Sequence, residues 1–399
     1  MFHLHGFQNG NHLTSLEQGL RLNHPLDERG LQRGADGVVS HGAILRYPQP
    51  VDVANWSNAA KWGMSHIPLI ELYRGGTLEC QHLGSVAVVN TQGRLIAQVG
   101  DPYWLCFTRS TLKALQALPL IQAGGVQHFG LESEHLALLC ASHSGEEKHV
   151  AVVTDLLKKA GQAHQVLQCG CHVPGIFSYH DKAPPVGLCF DERHNNCSGK
   201  HAGFVAYCVQ HGHSLTDYIE PSHPLQSAIR RDLARLAGLD ENAMKMGIDG
   251  CSAPNYAMPL AHLAGCYARL ASGNKDPEFG GSFELLASAM TRHPDLVSGT
   301  GRNDLAFMTA GRGDWVTKVG ADGVQVVASK SRGEAFAIKI IDASKPALYA
   351  ATVEVLEQLG WLDDHQRREL DVWRARQITN VRGLHVAERR SVFKLGVGL

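Results

Sequence analysis

Within the run NNCSGKHAG (195–203), three residues can do chemistry: the thiol of Cys197, the amine of Lys200 and the imidazole of His201. A thiol serves as a nucleophile, a metal ligand or a small buried apolar group. Cys197 and Lys200 stand three apart and share a face if the run is helical. A second cysteine with polar neighbours, Cys251 in GIDGCSAP (247–254), lies close to Asp249. Two thiolates from separate turns plus one more donor make a soft metal site, most readily for zinc. Lysine ligates only when neutral, a form that burial and a divalent cation together favour. The opposing reading is a solvated Lys200 and two cysteines that never meet, and no Cys-x-x-Cys pair argues against it. CGCH (169–172) is read as a loop, because Cys169, Cys171 and His172 are too close in the chain to surround one tetrahedral ion.

A second kind of chemistry is spelled by RSTLK (109–113), which sets Ser110 and Lys113 on one face of a helical turn. A serine hydroxyl is a weak nucleophile until a base removes its proton, and a lysine with a depressed pKa can be that base. Ser-x-x-Lys at a helix start is the device of penicillin-recognising enzymes. The pattern alone has low specificity: SGNK (272–275) also matches, in an expected loop. Lys318-Val319-Gly320 in TKVG (317–320) adds weight, since the same enzymes line their site with a Lys-x-Gly strand. CASHSGEEKH (140–149) offers Ser142, His143 and Ser144 between two expected helices. Ser144 reads as a helix cap, while Ser142 is less easily dismissed.

These groups must be positioned by a scaffold. The chain has 399 residues, 44% hydrophobic and 19% charged, with a formal net charge of −1. That composition is globular. No long basic run argues for nucleic acid, and no stretch of 18 uninterrupted apolar residues argues for a membrane span. The opening MFHLHGFQNGNHL is not read as a secretory signal. The ten cysteines are expected to be reduced, in a cytoplasm. Cys140, Cys208 and Cys266 sit in apolar runs and read as buried hydrophobes.

Residues 1–63, rich in His, Asn and Gly, read as an extension without sustained period; residues 64–365 form the main domain and 366–399 an Arg-rich terminal segment, solvated or in a subunit contact. LGSVAVVN (83–90) and RLIAQVG (94–100) flank a turn and predict a hairpin. DWVTKVG, GVQVVASK and EAFAIKIID (314–342) predict an antiparallel meander. Between the two lies a helical region (110–300). STLKALQALPLIQAG reads as one helix, EEKHVAVVTDLLKKAG as another, and SHPLQSAIRRDLARLAG as a third that buries Leu225, Ile229, Leu233 and Leu236. PALYAATVEVLEQLGW is a further helix, facing the meander. The expected class is α/β (α+β): one antiparallel sheet built from the N- and C-terminal strands (80–100 and 314–342), with helices packed on it.

Taken together, ELYRGGTLE, GRLIAQVGDP, TRSTLKALQAL, LLCASHSGEEKHV, NNCSGKHAG, HPLQ, GIDGCSAPNYAMPL, VSGTGR and TKVGADG resemble, in order, the class 3, rhizobial-type L-asparaginases, also called L-asparaginase II or thermolabile asparaginase. The resemblance covers roughly residues 69–362. It implies the serine β-lactamase and glutaminase fold and release of ammonia from the side-chain amide of L-asparagine. It implies two Ser–Lys pairs, Ser110 with Lys113 and Ser142 with Lys318, and a zinc site of Cys197, Lys200 and Cys251 completed by water. Asp249 then looks like a substrate contact, and His201 supports the metal or the substrate. Arg109 and Arg302 are the candidate partners for the substrate α-carboxylate, since a planar guanidinium suits that group; either can equally be a structural ion-pair partner. A homodimer is expected. Two readings of other classes stay open: a penicillin-binding or esterase-like serine hydrolase, and a non-catalytic zinc or thiol module.

Overall fold

A computed structural model describes residues 65–397. The expectation for residues 1–63 lies outside the described residues. Twelve strands are found among those described: β1 (Ile67–Arg74), β2 (Thr77–Asn90), β3 (Leu95–Val99), β4 (Leu105–Phe107), β5 (Lys245–Ile248), β6 (Pro254–Pro259), β7 (Trp315–Gly320), β8 (Val324–Ser329), β9 (Glu334–Ile340), β10 (Gln377–Thr379), β11 (His385–Ser391) and β12 (Gly396–Val397). The main sheet runs β10-β11-β1-β2-β9-β8-β7, with β3 also on β2 and β12 on β3. Its pairings are antiparallel. The expected hairpin is β2–β3, and the meander is β7–β8–β9.

The meander strands are buried at almost every position because the sheet is covered on both faces. Side chains alternate across it with period two. Ala87, Val89, Ala328, Ala335 and Ala337 pack into the helical core, and Val86, Val88, Val327, Phe336 and Ile338 into a second core with Ala347, Leu348 and Ala351. Mostly small residues meet the helix Leu260–Ser272, which is buried along nearly its whole length; larger ones meet the helix Lys345–Gln358. The result is a helix–sheet–helix sandwich.

The helical middle contains what the periodicity predicts, including Glu147–Lys159 and Pro224–Ala237, the latter with Pro224 at its start and Gly238 just past its end. Leu225, Ile229, Leu233 and Leu236 are all buried, as are Cys140, Cys208 and Cys266. Three features depart from the expectation. Residues 109–122 form three short turns rather than one helix; Pro119, with no N–H to donate, contributes to the break. A small sheet, β4-β6-β5, lies inside the helical region. The Arg-rich tail is not merely a surface segment: β11 pairs with β1 and carries β10, adding two strands to the sheet. The charges lie on β11 (Glu388, Arg389 and Arg390), one strand in from the edge strand β10, and by sequence such a run reads as solvated surface. Among the described residues, no helix is long and apolar enough to cross a membrane.

Candidate active site and metal site

Strand β4 leads into the turn Arg109–Leu112, and the next helical turn starts at Lys113. Arg109 has a φ of +51°, a left-handed conformation costing about 1 kcal/mol or more for a residue with a Cβ. Asn255 on β6 holds it there: its side-chain oxygen accepts from the Arg109 N–H at 3.0 Å and its amide donates to the Arg109 carbonyl at 3.1 Å. Thr108 donates to the Tyr256 carbonyl through both its N–H (3.2 Å) and its hydroxyl (2.8 Å). The end of β7 closes on the same turn. A Cβ on Gly320 would sit 2.9 Å from the Thr108 carbonyl oxygen, so a glycine is needed for the strand to approach this closely. The Ser-x-x-Lys and Lys-x-Gly segments therefore meet.

Lys113 is 1% exposed. Its Nζ donates to the Ala141 carbonyl at 2.7 Å, the Asn196 carbonyl at 3.0 Å and Ser142 Oγ at 2.9 Å. Carbonyls only accept, whereas a hydroxyl also donates. If the amine is neutral, its lone pair points at Ser142. Ser110 is half-buried; its carbonyl accepts the Lys113 backbone N–H, and its hydroxyl has no hydrogen bond in the structure to either lysine. The pairing expected from sequence is thus redrawn, with Lys113 on Ser142.

Lys318, fully buried on β7, lies with its Nζ 3.6 Å from Asp304 Oδ2 and donates to the Val319 carbonyl at 3.1 Å; no hydrogen bond joins it to Ser142. Asp304 belongs to the helix Asn303–Ala310 and is itself fully buried. It accepts from the Val319 N–H at 2.9 Å, and from Thr317 Oγ1 and Gln325 Nε2 at 3.1 Å each. Burial brings the Lys318 ammonium down to about 8; Asp304 opposes that shift, while the positive charges of Lys113 and Arg302 add to it. Arg302 donates to the Ser142 carbonyl and stacks over the Tyr179 ring, 4.1 Å to its centroid. Arg109 donates to Asp249 Oδ1 at 3.0 Å and pairs with Asp322. Both arginines reach the site, and both already have partners.

The thiols converge. Cys197 caps the helix Ser198–His211, whose Gly199 and Gly203 allow it to lie directly on Leu138 and Leu139. Cys251 comes from the turn between β5 and β6. Its sulfur accepts from Lys200 Nζ at 3.0 Å. A hydrogen bond from the Cys197 thiol drives Cys251 far below the ordinary thiol range, with Lys200 and His201 adding to the effect. The same hydrogen bond and burial push Cys197 well up. Burial works against the Lys200 charge, but the two adjacent sulfurs outweigh it and raise its pKa. His201, fully buried, is fixed by Tyr218 (Nδ1 to hydroxyl, 2.9 Å), while its Nε2 makes no conventional hydrogen bond. Among the described residues, the His/Cys/Asp/Glu group with three mutually close donors is His164, Asp191 and Glu192, so His201 does not close a three-donor set with both sulfurs. In that other group Asp191 is already committed to Arg193 and His194.

A family model described as L-asparaginase II matches residues 70–391. The chain belongs to the L-asparaginase II family. Among curated proteins, none matches it significantly. In this L-asparaginase II chain, the sequence-derived candidates Ser110, Lys113, Ser142, Arg109 and Asp249 are tied together by the turns around Lys113 and Asn255, and Cys197, Lys200, His201 and Cys251 form an adjoining cluster. Asn196 joins the two, since its carbonyl accepts from Lys113 and the next residue is Cys197. Sequence reasoning missed Asp304, Asn255, Asn196 and Tyr218. Asp304 lies two residues past Arg302, beside a motif already singled out, but nothing in the spacing reveals its partner fourteen positions on. The family makes the protein an L-asparaginase-type amidohydrolase.

Proposed function

We propose that the chain hydrolyses L-asparagine to L-aspartate and ammonia through an acyl-serine intermediate formed beside a zinc site, as a class 3 member with a β-lactamase-like arrangement. The observation that carries this reading is the position of Lys113: one buried amine bonds the Ser142 hydroxyl and the peptide that precedes Cys197. Ser110 is the hydroxyl left half-exposed for substrate, and it is the nucleophile. Its oxygen bonds the amide carbon, and its proton passes by way of Ser142 to the Lys113 amine. The C–N bond then breaks, and the leaving nitrogen takes from Lys113 the proton that Ser110 gave up, to depart as ammonia. Water cleaves the ester to aspartate and restores Ser110. Lys318, with a pKa near neutrality, keeps a second proton carrier in the site. Asp249 and Arg109 hold the α-ammonium and α-carboxylate respectively, and Arg302 positions Ser142 through its carbonyl.

Cys197, Lys200 and Cys251 would hold a zinc ion once the cation displaced the protons on the Cys197 thiol and the Lys200 amine, which would leave two thiolates to balance its charge and a neutral amine as the third donor. When bound, zinc supplies a Lewis-acidic centre and a held water that orients the substrate. His201 stands beside this set, fixed by Tyr218.

Ammonia release from L-asparagine and from L-glutamine, each with added zinc or chelator, tests the reading. Turnover of asparagine that survives Ser110→Ala nearly intact would refute the serine route. Because Gly320 brings the Lys-x-Gly strand onto the Ser110 turn, the penicillin-type alternative is tested in the same assay. Stable acylation by a chromogenic β-lactam, without amidase activity, favours that alternative.

A further inference from the structure

Away from these groups, the C-terminal strands and helices border an open cleft of about 220 Å³ lined by Glu354, Arg374, Arg376, Arg389, Arg390 and Ser391. Glu354 is on the helix Lys345–Gln358, Arg374 ends the helix Asp364–Arg374, and Arg389–Ser391 lie on β11. The chain turns between Arg374 and Arg376 at Ala375, whose φ is +44°. The Arg376 carbonyl accepts the Arg389 N–H at 2.8 Å, which brings the two guanidinium-bearing segments side by side.

Two of these arginines are balanced and two are not. Arg374 pairs with Glu357 at 2.6 Å and Arg390 with Glu388 at 2.7 Å. Arg389 donates Nη1 to the Ala375 carbonyl at 3.0 Å but has no carboxylate partner. Burial lowers its pKa with nothing to compensate. Nε of Arg374 and Nε of Arg389 are both buried and without a hydrogen-bond partner among the described residues, and the Arg374 side chain is only 11% exposed. Buried donors of charged groups are costly when unsatisfied. One carboxylate, Glu354, also lines the cleft, and its Oε1 accepts only from Gln358.

The geometry points to a binding site for a phosphate-type dianion, held by Arg374, Arg376 and Arg389 and separate from the amidase groups. Guanidinium forks suit such an anion, bonding two of its oxygens at once. Glu354 then selects among oxyanions. A monohydrogen phosphate carries one O–H that can donate to the carboxylate, whereas sulfate has none and is repelled.

Isothermal titration of the full chain with inorganic phosphate, and separately with sulfate, tests this on the wild type, Arg389→Gln, Arg376→Gln and Glu354→Gln. The expected result is saturable one-to-one phosphate binding, weakened at least about ten-fold by Arg389→Gln and several-fold by Arg376→Gln. Sulfate binds more weakly than phosphate, and Glu354→Gln narrows that gap. Arg376 is exposed, so its variant keeps the test valid if Arg389→Gln fails to fold. Absence of saturable binding, or equal affinity in wild type and both arginine variants, overturns the proposal. So does a change in subunit number on Arg376→Gln without phosphate binding, which would make the patch a subunit contact.

Discussion

Lys113 has three acceptors within 3.0 Å and almost no solvent. Replacing it with methionine keeps the volume but leaves Ser142 without a proton carrier. Lys113→Met is expected to lower kcat by a factor of about 10² or more, as measured by ammonia release, with KM changing little. Lys318 gives the pH dependence its sign. Its folded pKa of about 8 lies below the ordinary lysine value, so kcat/KM rises with pH through that range as the amine becomes neutral. Asp304 opposes the depression. Asp304→Asn therefore moves the rising limb to lower pH, whereas a purely structural loss would lower the whole profile without displacing it. The same shift acts on stability. Between about pH 8 and 10 the unfolded chain binds the extra proton, so this group's contribution to stability increases with pH across that window. For the sulfur cluster, Cys251→Ala is expected to abolish stoichiometric zinc, read by elemental analysis of the purified chain. Retention of one zinc per chain would remove Cys251 from the ligand set.

At the level of elements, the site depends on close backbone approaches rather than on long helices. The Ser110 turn is held by two Asn255 hydrogen bonds on one side and by the end of β7 on the other. Gly320→Val would force side-chain atoms against the Thr108 carbonyl. It is expected to cost about 1–3 kcal/mol in denaturant unfolding and to reduce kcat by more than that loss of folded protein explains. Gly199 and Gly203 do the equivalent for the thiol cluster, where added methyl groups would collide with Leu138 and Leu139 atoms. By sequence alone these glycines are only small neighbours of Cys197 and Lys200. Their function is steric, and a one-dimensional pattern does not display what packs on a helix.

Across the described molecule, strands from before and after the helical region meet. β2 and β9 pair along seven residues, from Gly84↔Ile340 to Asn90↔Glu334, and β11 covers the outer edge of β1. Ending the chain at residue 376 removes β10–β12 and the buried Ala387 and Phe393, and bares the edge of β1 that faces away from β2. Such a truncation is expected to lower Tm by roughly 5–10 °C and to promote aggregation through the bare edge, both visible in a thermal scan followed by light scattering. Much of this architecture follows from local chemistry. Period-two apolar runs specified β2, β3 and the meander. Capped amphipathic stretches specified the helices at 147–159 and 224–237, and residue types with ordered motifs singled out Ser110, Lys113, Ser142, Cys197, Lys200, Cys251 and Lys318. Tertiary structure alone decided which amine bonds which hydroxyl, that Asp304 accompanies Lys318, and that a charged tail joins the sheet. Spacing constrains only groups within a turn or a pleat of one another; a hydrogen bond between residues 113 and 142, or an ion pair between 304 and 318, exists only once the sheet has closed around its buried helix.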